Sequence, residues 1–581
     1  MENSRNTYLV SKALKSFVVA SVLTSAASQL ASTFDAIVLA QFEGPEAVSA
    51  LSLVMPVTTF ISCLGLLMAF GANALAARAI GHHDLHRASA IFSTAIWSIL
   101  TLGVLFSLLM YVCIPSIMQI VTDESGLQQL PAEYLGIYVL GAWLEMLSYA
   151  LCLFVATDGH PRRVTIAVFL GVATNAVVDV LAVGWYEWGI RGVALGTLAQ
   201  FAVNVALLGL YMRRPSCSYR LQWPGARLRK LFVDNVQEGA PVTVSNILMA
   251  VTVLLINNII FDAQGESGLF FWSVCLQMLL VSVVFINGVI EALFAIGGVM
   301  AGEHDLRGFS MLSRWALLTV SVLVSLLMAL MWIPNVVGVM FGIEEPHEMA
   351  AVNHVLRIFS LLLLPFALTL TLVAVYQVLE RKTLSIIVVV GQLVVLVLAA
   401  WLLSITAPSY VWYAFPVAAF LFLAGQLLYS YVSSRRQGCR ISGLTLIPYS
   451  EGGHSLDCSV PYDCAQISDV LAQIVAFLER MGIDSQTVFD LHLCLEELMM
   501  NIAEHSTGKI VHHSFDVHVF VMNQHVRVTL KDGGLPFDPI QRGRDAQTNQ
   551  TDDFGLRIAA NIVGDISYKY MYGLNVVLIK V

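Results

Sequence analysis

Long apolar runs follow one another from Ala13 to Tyr431, separated by short polar turns, and the pattern changes near Arg435. About 20 apolar residues span a bilayer as a helix. Windows of that length predict twelve spans, which begin near residues 14, 48, 89, 134, 163, 190, 239, 268, 312, 355, 383 and 409. After Arg440 the chain becomes acidic and mixed, as in a globular domain. We therefore predict a polytopic membrane half with a soluble module at its C-terminal end.

The composition supports this division. Of the 581 residues, 57% are hydrophobic and only 12% are charged, which is too apolar for a soluble protein of this size. The nine cysteines form no C-x-x-C pair and no histidine stands at zinc-ligand spacing, so neither a disulfide framework nor a metal site is predicted. We interpret the stretch His82-His83-Asp84-Leu85-His86 as a solvated loop. The N-terminal segment lacks a signal-peptide cleavage site, so we expect the first span to be retained.

Positive charges fall almost entirely on one side of the predicted spans. The N-terminal segment, the turns on its side and the residues after the last span hold twenty lysines and arginines, whereas the opposite turns hold only Arg191 and Arg357. Turns rich in Lys and Arg stay in the cytoplasm. We therefore predict a multi-pass protein of a bacterial-type cell membrane with both termini in the cytoplasm.

The membrane half contains an internal repeat. Three marks recur at offsets of 219 to 221 residues: Gly81-His-His-Asp-Leu as Gly302-Glu-His-Asp-Leu, Ile114-Pro115 as Ile333-Pro334, and Arg162-Arg163 as Arg381-Lys382. Each copy holds an even number of spans, so both copies insert the same way up. Parallel repeats of this kind are typical of transporters whose substrate site lies between two lobes near the bilayer midplane.

Four acids lie within the predicted spans: Asp35, Glu145, Asp179 and Glu291. A charge near the bilayer centre costs about 2.5–3.5 kcal/mol on insertion scales, so such residues usually have a function. Asp179 follows Asn175 by four residues, which puts both side chains on one face of a helix. Two neighbouring carboxyls in a dry cavity can hold and release a proton. With an amide and a hydroxyl they can instead form an oxygen cage for a hard cation such as Na⁺.

These acids and the blocks around them resemble the multidrug and toxic compound extrusion (MATE) transporters over about residues 10–435. The resemblance rests on ordered marks: Asp35, Pro56, Ala69-Phe-Gly-Ala-Asn, Asp158-Gly-His-Pro-Arg, Asn175-x-x-x-Asp179 and Gly192-Val-Ala-Leu-Gly-Thr197. It implies a polytopic α-helical protein with twelve transmembrane helices in two parallel six-helix lobes. It also implies an exporter whose substrate is a small organic compound.

The resemblance further implies an N-lobe cation site that drives export and takes H⁺ or Na⁺. Four residues form that site in the family: Asp35, Asn175, Asp179 and Thr197. The second lobe departs from some members, because Met249 stands where they carry an acid. Glu291 and Glu145 are candidates either for substrate contact or for packing between helices.

The C-terminal module has its own pattern. Residues 441–581 hold 9 Lys and Arg against 17 Asp and Glu, which excludes nucleic-acid binding on charge grounds. The pattern predicts an α+β fold with helices near 467–481 and 486–505, strands at 514–522, 525–531 and 575–580, and a helix that begins at Gly555. Glu497 and Asn501 fall on one stripe of the second helix. Asp532 ends a strand and can accept a hydrogen bond from an exocyclic amine, while Gly533 and Gly534 allow close approach of a flat ring.

This constellation resembles the ATP-binding fold shared by gyrase, Hsp90, histidine kinases and MutL over roughly residues 457–581, and it is most similar to serine/threonine anti-sigma factor kinases. The resemblance implies ATP and Mg²⁺ as cofactors and gives five residues roles: Glu497 as general base, Asn501 as Mg²⁺ ligand, Asp532 as reader of the adenine amine, Gly534 in the adenine pocket and Gly555 at the phosphates. Residues 541–553 form a short polar lid, and no G-x-x-x-x-G-K-[ST] loop is present.

We expect five segments: an N-lobe at 1–213, a basic inter-lobe loop at 214–238, a C-lobe at 239–440, a linker at 441–456 and the ATP-binding domain at 457–581. The leading hypothesis is a secondary antiporter that exports organic, drug-like compounds, cations among them, with a regulatory or kinase domain. One alternative is a membrane-tethered sensor whose tail phosphorylates Ser or Thr of a cytoplasmic protein partner. Another is a flippase for lipid-linked precursors. Membrane lipid is an expected partner and nucleic acid is not.

Overall fold

The computed structural model describes residues 7–121, 128–340, 346–437, 445–448, 453–505, 514–545 and 565–581. The membrane half is helical throughout. Its helices are α1 Tyr8–Phe42, α2 Pro45–Gly81, α3 Leu85–Ser98, α4 Val104–Val121, α5 Gln129–Thr157, α6 Pro161–Asp179, α7 Ile190–Met212, α8 Leu228–Ala292, α9 Gly298–Gly302, α10 Leu306–Trp332, α11 Val336–Met340, α12 Pro346–Ser360, α13 Leu363–Val378, α14 Lys382–Thr406 and α15 Ala414–Gln437.

Eleven helical stretches among the described residues are long and apolar enough to cross a membrane. The longest of them supplies two passes, because α8 turns at Gly265, whose φ of 66° and ψ of −152° are not helical. Trp272 Nε1 donates to Asn257 Oδ1, fifteen residues earlier. In a straight helix these residues would lie about 22 Å apart. The chain therefore reverses here, and the described residues give twelve passes, as the sequence predicted.

The passes form two lobes that repeat the same local structure. The helices α1 to α7 pack together as the N-lobe, α8 to α15 pack together as the C-lobe, and the lobes meet where α1 and α2 cross α8. His83 and His304, in the two copies of the repeated glycine-histidine mark, both have a φ of 60°. Asp84 and Asp305 follow them, and each caps the next helix by accepting a backbone N–H from three residues ahead. The sequence repeat is therefore a structural repeat.

The C-terminal tail folds as a layer of helices on a sheet. Its elements are β1 His454–Pro461, α16 Cys464–Arg480, α17 Ser485–His505, β2 Ser514–Met522, β3 His525–Asp532, α18 Pro539–Asp545, β4 Asp565–Met571 and β5 Leu574–Lys580. The strands form an antiparallel sheet in the order β1-β2-β3-β5-β4. Apolar residues of α16 and α17 and of one sheet face form a single core. This confirms the α+β prediction and adds two edge strands, β1 and β4.

The opposite face of the sheet packs against the membrane half. Along β3, Val528 and Leu530 belong to the core under the helices. The alternate residues Arg527 and Lys531 reach the turns that follow α2 and α9. Alternation of side chains across a strand thus buries both faces of the sheet. We call the side of the membrane half that carries these turns the domain side.

The lobes are joined directly on the domain side. Arg78 of α2 pairs with Glu238 of α8 and with Glu380, which precedes α14. Lys382 Nζ lies 2.5 Å from Glu238 Oε2. Arg78 and Glu238 are both buried, so each charge needs the other, because an unpaired buried charge is strongly destabilising. On this side the two lobes are in contact with each other.

The histidine turn at residues 82–86 is less exposed than the sequence predicted. His82 and His83 are half-buried, and the His82 ring lies 5.3 Å from that of His304. Burial, together with nearby His304 and Arg527, lowers the pKa of His82 to about 4. The tail covers this part of the turn, and only its last three residues are exposed. The interpretation as a fully solvated loop is therefore wrong for His82 and His83.

Candidate functional site

The structure brings the predicted N-lobe tetrad together. Asp35 comes from α1, Asn175 and Asp179 from α6, and Thr197 from α7. Thr197 Oγ1 donates to Asp35 Oδ2 at 3.5 Å, and the side chains of Asp179 and Asn175 lie beside that of Asp35. Asp35, Asn175 and Asp179 are 7%, 1% and 0% exposed. Three helices thus converge on one dry cluster of oxygen and amide groups.

A glycine lets α7 approach this cluster. Gly196 precedes Thr197, and a Cβ at Gly196 would lie 1.9 Å from Asp179 Oδ1 and 3.1 Å from Asn175 Nδ2. Any side chain at this position would displace the carboxyl or the helix. The Gly-Thr pair therefore closes the site from one side and supplies its hydroxyl.

Several polar atoms of the tetrad are buried without a hydrogen-bond partner among the described residues: Asp35 Oδ1, both Asp179 oxygens and both polar atoms of the Asn175 amide. An unsatisfied buried polar group costs about 1–3 kcal/mol. Two adjacent carboxylates also repel each other unless a proton or cation lies between them. The donor set fits a proton shared by the two carboxyls, and it equally fits a small hard cation held by oxygen atoms.

Two tyrosines that sequence reasoning missed connect the tetrad with Glu145. Tyr134 lies beside Thr197, and the Tyr134 and Tyr138 rings stack with centroids 5.6 Å apart. Tyr138 Oη donates to Glu145, and Ser62 Oγ donates to the other oxygen of that carboxyl at 2.5 Å. The signal in the sequence was the spacing of residues 134, 138 and 145, which places them on one helix face.

Glu291 lies apart from the tetrad. Its carboxyl, on α8, accepts a hydrogen bond from Ser21 of α1. Ser21 precedes Asp35 by fourteen residues, which is about 21 Å along a helix. The structure therefore does not bring Glu291 to the predicted cation site. It joins α1 to the C-lobe instead.

In the tail, Glu497 and Asn501 lie one turn apart on α17, and both are half-buried. The residues between them that face the sheet, Leu498 and Met499, belong to the core. The polar pair therefore lies at the edge of the helical layer. A carboxylate and an amide oxygen at this spacing suit a hydrated Mg²⁺ ion and a water or hydroxyl group.

Asp532 ends β3 and is only 4% exposed. Its Oδ1 accepts hydrogen bonds from Gly534 N at 2.7 Å and from Asn575 Nδ2 at 3.1 Å. Asn575 Nδ2 also donates to Leu535 O at 2.9 Å. Asn575, which lies directly opposite Asp532 in the sheet, was missed by sequence reasoning. These bonds hold the carboxylate in one orientation, as reading an exocyclic amine requires. Gly555 lies outside the described residues.

Comparisons with known proteins divide the chain in the same way. The MatE family model matches residues 20–181. The family model of the histidine kinase-like ATPase domain matches residues 460–580. The chain thus matches a MatE domain in its membrane half and a histidine kinase-like ATPase domain in its tail. The tetrad belongs to the first domain except for Thr197, which lies just beyond the matched range, and Asp532 belongs to the second.

Part of the chain is similar to curated export proteins. The multidrug export protein MepA of Staphylococcus saprophyticus is 25% identical over 211 residues, which cover 36% of this chain and 47% of MepA. MepA of Staphylococcus aureus is 24% identical over 216 residues, which cover 37% of this chain and 48% of that MepA. The chain thus spans about half the length of the curated relatives it matches.

Solved structures show the same fold for the membrane half. An outward-facing multidrug resistance MATE family transporter of the MOP superfamily superposes with a TM-score of 0.68 at 20% identity, covering 75% of this chain and 99% of that chain. A MOP superfamily transporter from Pyrococcus furiosus, described as having a binding pocket of reverse polarity, superposes with a TM-score of 0.69 at 19% identity. The superposition covers 75% of this chain and 100% of that chain. The membrane half, which contains the range matched by the MatE model, therefore has the fold of a MATE transporter. We call this whole half the MatE domain.

The MatE and ATPase domains meet at Gly533. A Cβ on Gly533 would lie 3.2 Å from both Leu9 Cδ2 and Lys12 Nζ of α1, and Lys12 Nζ donates to Gly533 O at 2.8 Å. The sequence predicts that Gly533 and Gly534 both allow close approach of a flat ring and that Gly534 lines the adenine pocket. In the structure Gly533 makes room for the first membrane helix, and the role of Gly534 in the adenine pocket stays a prediction.

Proposed function

We propose that the MatE domain is a secondary antiporter that exports organic, drug-like compounds, cations among them, in exchange for H⁺ or Na⁺. One observation carries this proposal: in the buried Asp35–Asp179 pair, three of the four carboxylate oxygens have no hydrogen-bond partner among the described residues. Moving one charge through a 100 mV potential yields about 2.3 kcal/mol, which is enough to bias a conformational equilibrium. We take the domain side as cytoplasmic, in line with its lysines and arginines, and keep the predicted lobes at 1–213 and 239–440. The predicted inter-lobe loop at 214–238 is shorter in the structure, because α8 of the C-lobe already begins at Leu228.

The tetrad couples ion occupancy to helix position. Without a proton or cation, the Asp35 carboxylate on α1 repels Asp179 on α6. With one, the two carboxyls attract the same charge, and Asn175 and Thr197 complete its coordination. Binding therefore draws α1 toward α6 and α7, and release lets it move away. Because α1 also packs against α8 of the other lobe, this movement is transmitted between the lobes.

Replacing Asp179 tests the antiport proposal. In proteoliposomes with an imposed proton or sodium gradient, Asp179→Asn should lower gradient-driven uptake or efflux of a fluorescent organic cation by at least about tenfold, which corresponds to about 1.4 kcal/mol. The asparagine keeps the shape of the side chain but lacks the negative charge that repels Asp35 and binds the proton or cation. Asp262→Asn, at an exposed acid of α8, is the control and should transport normally. Unchanged transport by Asp179→Asn would refute the proposal.

We propose that the ATPase domain at 457–581 binds ATP and Mg²⁺ and regulates the MatE domain. Asp532 and Gly534 would hold the adenine, Asn501 would hold Mg²⁺, and Glu497 would polarise a water or hydroxyl. Bound Mg²⁺ would neutralise phosphate charge. This proposal is supported by the match of the ATPase family model and by the fixed orientation of the Asp532 carboxylate.

Nucleotide binding is tested with the full chain in detergent. Asn501→Ala should weaken Mg²⁺-dependent binding of a fluorescent ATP analogue by about tenfold, or about 1.4 kcal/mol, because a metal ligand is lost. Gln486→Ala removes an exposed amide from the same helix and should leave the affinity unchanged. Equal affinities of wild type and Asn501→Ala would contradict the assignment of Asn501 to Mg²⁺.

A further inference from the structure

The ATPase domain is attached to the N-lobe through β4 and the turn after it. Lys569 pairs with Asp158, in the turn between α5 and α6. Tyr572 Oη donates to Thr157 O at 2.7 Å, and Tyr572 N donates to Gly159 O at 3.3 Å. Burial opposes ionisation of Asp158, but Lys569 and the local hydrogen bonds outweigh it and hold the pKa of Asp158 below its ordinary value. We call this contact the N-arm.

A second set of contacts attaches the ATPase domain to the C-lobe. Lys531 Nζ donates to Glu303 Oε2 at 2.6 Å and lies 3.6 Å from Asp305 Oδ2. Phe520 of β2 stacks on His304 with centroids 4.5 Å apart and ring planes 12° apart. These three C-lobe residues form the turn between α9 and α10. We call this contact the C-arm.

An ion-pair network extends the C-arm along β1 and β2. Arg307 Nε lies 3.3 Å from Asp457 Oδ2, and His518 Nδ1 lies 2.7 Å from Asp457 Oδ1. Asp305, Asp457 and His518 are close enough to one another to surround a metal ion. Lys531 and Arg307 already neutralise the two carboxylates, however, so we interpret the cluster as a salt-bridge network that binds the two domains together.

Between the two arms the sheet covers the junction of the lobes. Leu574 and Val576 of β5 belong to the same apolar core as Leu9 of α1 and Val299 of α9. A cavity of only about 30 Å³ remains among them, which is far too small for an organic solute. The docked ATPase domain therefore seals the domain side as well as bridging it.

A bridge between the lobes restrains their separation. In transporters built from parallel repeats, the lobes move against each other around a central site. Opening the domain side would move the Thr157–Gly159 turn away from the Glu303–Asp305 turn. The strands between these turns are held by continuous ladders of hydrogen bonds, so the sheet cannot stretch to follow. One arm has to release before the domain side opens.

The nucleotide pocket shares a loop with this contact. Gly533, between the adenine residues Asp532 and Gly534, accepts the hydrogen bond of Lys12. Lys12 and Asp35 lie on the same helix, α1, which runs without a break from Tyr8 to Phe42. A nucleotide that rearranges the loop therefore acts on a helix that also carries the cation site.

We propose that the ATPase domain is an intramolecular latch: docked on both lobes, it holds the MatE domain closed on the domain side, and nucleotide bound at the Asp532 loop sets the strength of the docking. The inference rests on the proposed transport function and adds its regulation. A latch in which both arms act in series has a distinctive consequence, because releasing either arm removes the bridge that the sheet adds to the direct contact between the lobes.

The series arrangement is tested by transport of a fluorescent organic cation in proteoliposomes. Lys569→Ala removes the N-arm ion pair and Lys531→Ala removes that of the C-arm. Each should raise the initial rate by about fivefold, the lower end of ordinary allosteric coupling. The double variant should be no faster than the faster single variant. Lys580→Ala, at an exposed lysine of β5, is the control and should match wild type. Rates that multiply in the double variant, or that stay at or below the wild-type rate, would overturn the latch.

Hydrogen exchange of the unsubstituted chain tests the nucleotide link without relying on variants or on transport. Adding ATP and Mg²⁺ should change exchange at both turns, residues 157–160 and 302–306, and Asn501→Ala should suppress the change. No response at either turn in wild type, or a response at one turn alone, would overturn the proposal. If both turns respond but the protein transports nothing, the antiporter proposal fails and the latch stands. If transport depends on Asp179 but neither turn responds to ATP and Mg²⁺, the latch fails and the antiporter proposal stands.

Discussion

Single side chains determine the chemistry of the two candidate sites, the tetrad and the region around Asp532. Only some of these side chains could be identified from the sequence. Asp35, Asn175, Asp179 and Thr197 could be singled out because acids are costly within a span and because their blocks resemble a known family. Tyr134 and Tyr138 were missed, because their spacing with Glu145 places them on one helix face without showing that this face meets the tetrad. Lys12 and Asn575 were missed because their roles depend on contacts with residues more than 40 positions away.

Gly196 has no side chain, and this absence leads to a specific prediction. Gly196→Ala puts a methyl group where Asp179 Oδ1 lies, since an added Cβ would be 1.9 Å from that atom. We expect gradient-driven transport to fall by at least about tenfold, or about 1.4 kcal/mol, while the protein still binds ATP. Gly209→Ala, on the same helix with no atom within 4 Å of the added Cβ, is the matched control. Equal transport by the two variants would show that close approach of α7 is not required.

At the level of elements, helices of the membrane half were predictable and two strands were not. An apolar run of about 20 residues has one stable solution in lipid, because a helix satisfies its own backbone hydrogen bonds. The strands β1 and β4 alternate apolar residues with polar ones such as Asp457 and Lys569. Such a pattern normally indicates a solvent-facing or irregular segment. Here the polar residues pair with charged turns of the MatE domain, and the sequence holds no local sign of that partner.

Helix α1 is the element that connects the two candidate sites. Twenty-three residues separate Lys12 from Asp35, which is about 34 Å along a helix. That distance exceeds the thickness of about 30 Å of a bilayer core. Helix α1 therefore carries the contact with Gly533 near one end and the candidate cation site far from it. A rigid helix transmits a displacement over this distance without any intermediate element.

For the whole molecule, the decisive feature is the docking of the ATPase domain across both lobes. The domain presents one sheet face to its own helices and the other to the turns of the MatE domain. Buried charges on the second face are matched by opposite charges from both lobes. This complementarity specifies one docked orientation, because a buried charge without its partner is strongly destabilising.

Docking should weaken as the pH falls from about 6.5 toward 4. The pKa of docked His82 is about 4, lowered from 6.5 by burial and by His304, Arg527, Arg87 and His83. Because the docked state disfavours protonation, the contribution of His82 is complete above pH 6.5 and is lost as the pH falls through this range. The Lys569–Asp158 pair persists there, since the pKa of Asp158 lies below its ordinary value.

The pH effect can be measured by hydrogen exchange at residues 157–160, corrected for intrinsic rates, at pH 7.5 and 5.5. Exchange should rise at the lower pH in wild type. Burial lowers the pKa of His83 as well, so the double variant His82→Gln/His83→Gln should remove most of the rise. His86→Gln, at an exposed histidine of the same turn, should preserve it. A rise that persists in the double variant would assign the pH dependence to other groups.

The sequence by itself determined that this chain spans a membrane in two repeated halves and ends in an α+β module. These properties follow from local composition and spacing, which act through the cost of placing polar backbone or charge in lipid. Only the tertiary structure showed which residues the intramembrane acids contact and which surfaces the C-terminal module packs against. The meeting of Asp35 with Asp179, the contact of Lys12 with Gly533 and the bridge across both lobes depend on where distant helices cross. Those crossings are fixed by packing between surfaces that no stretch of sequence contains alone.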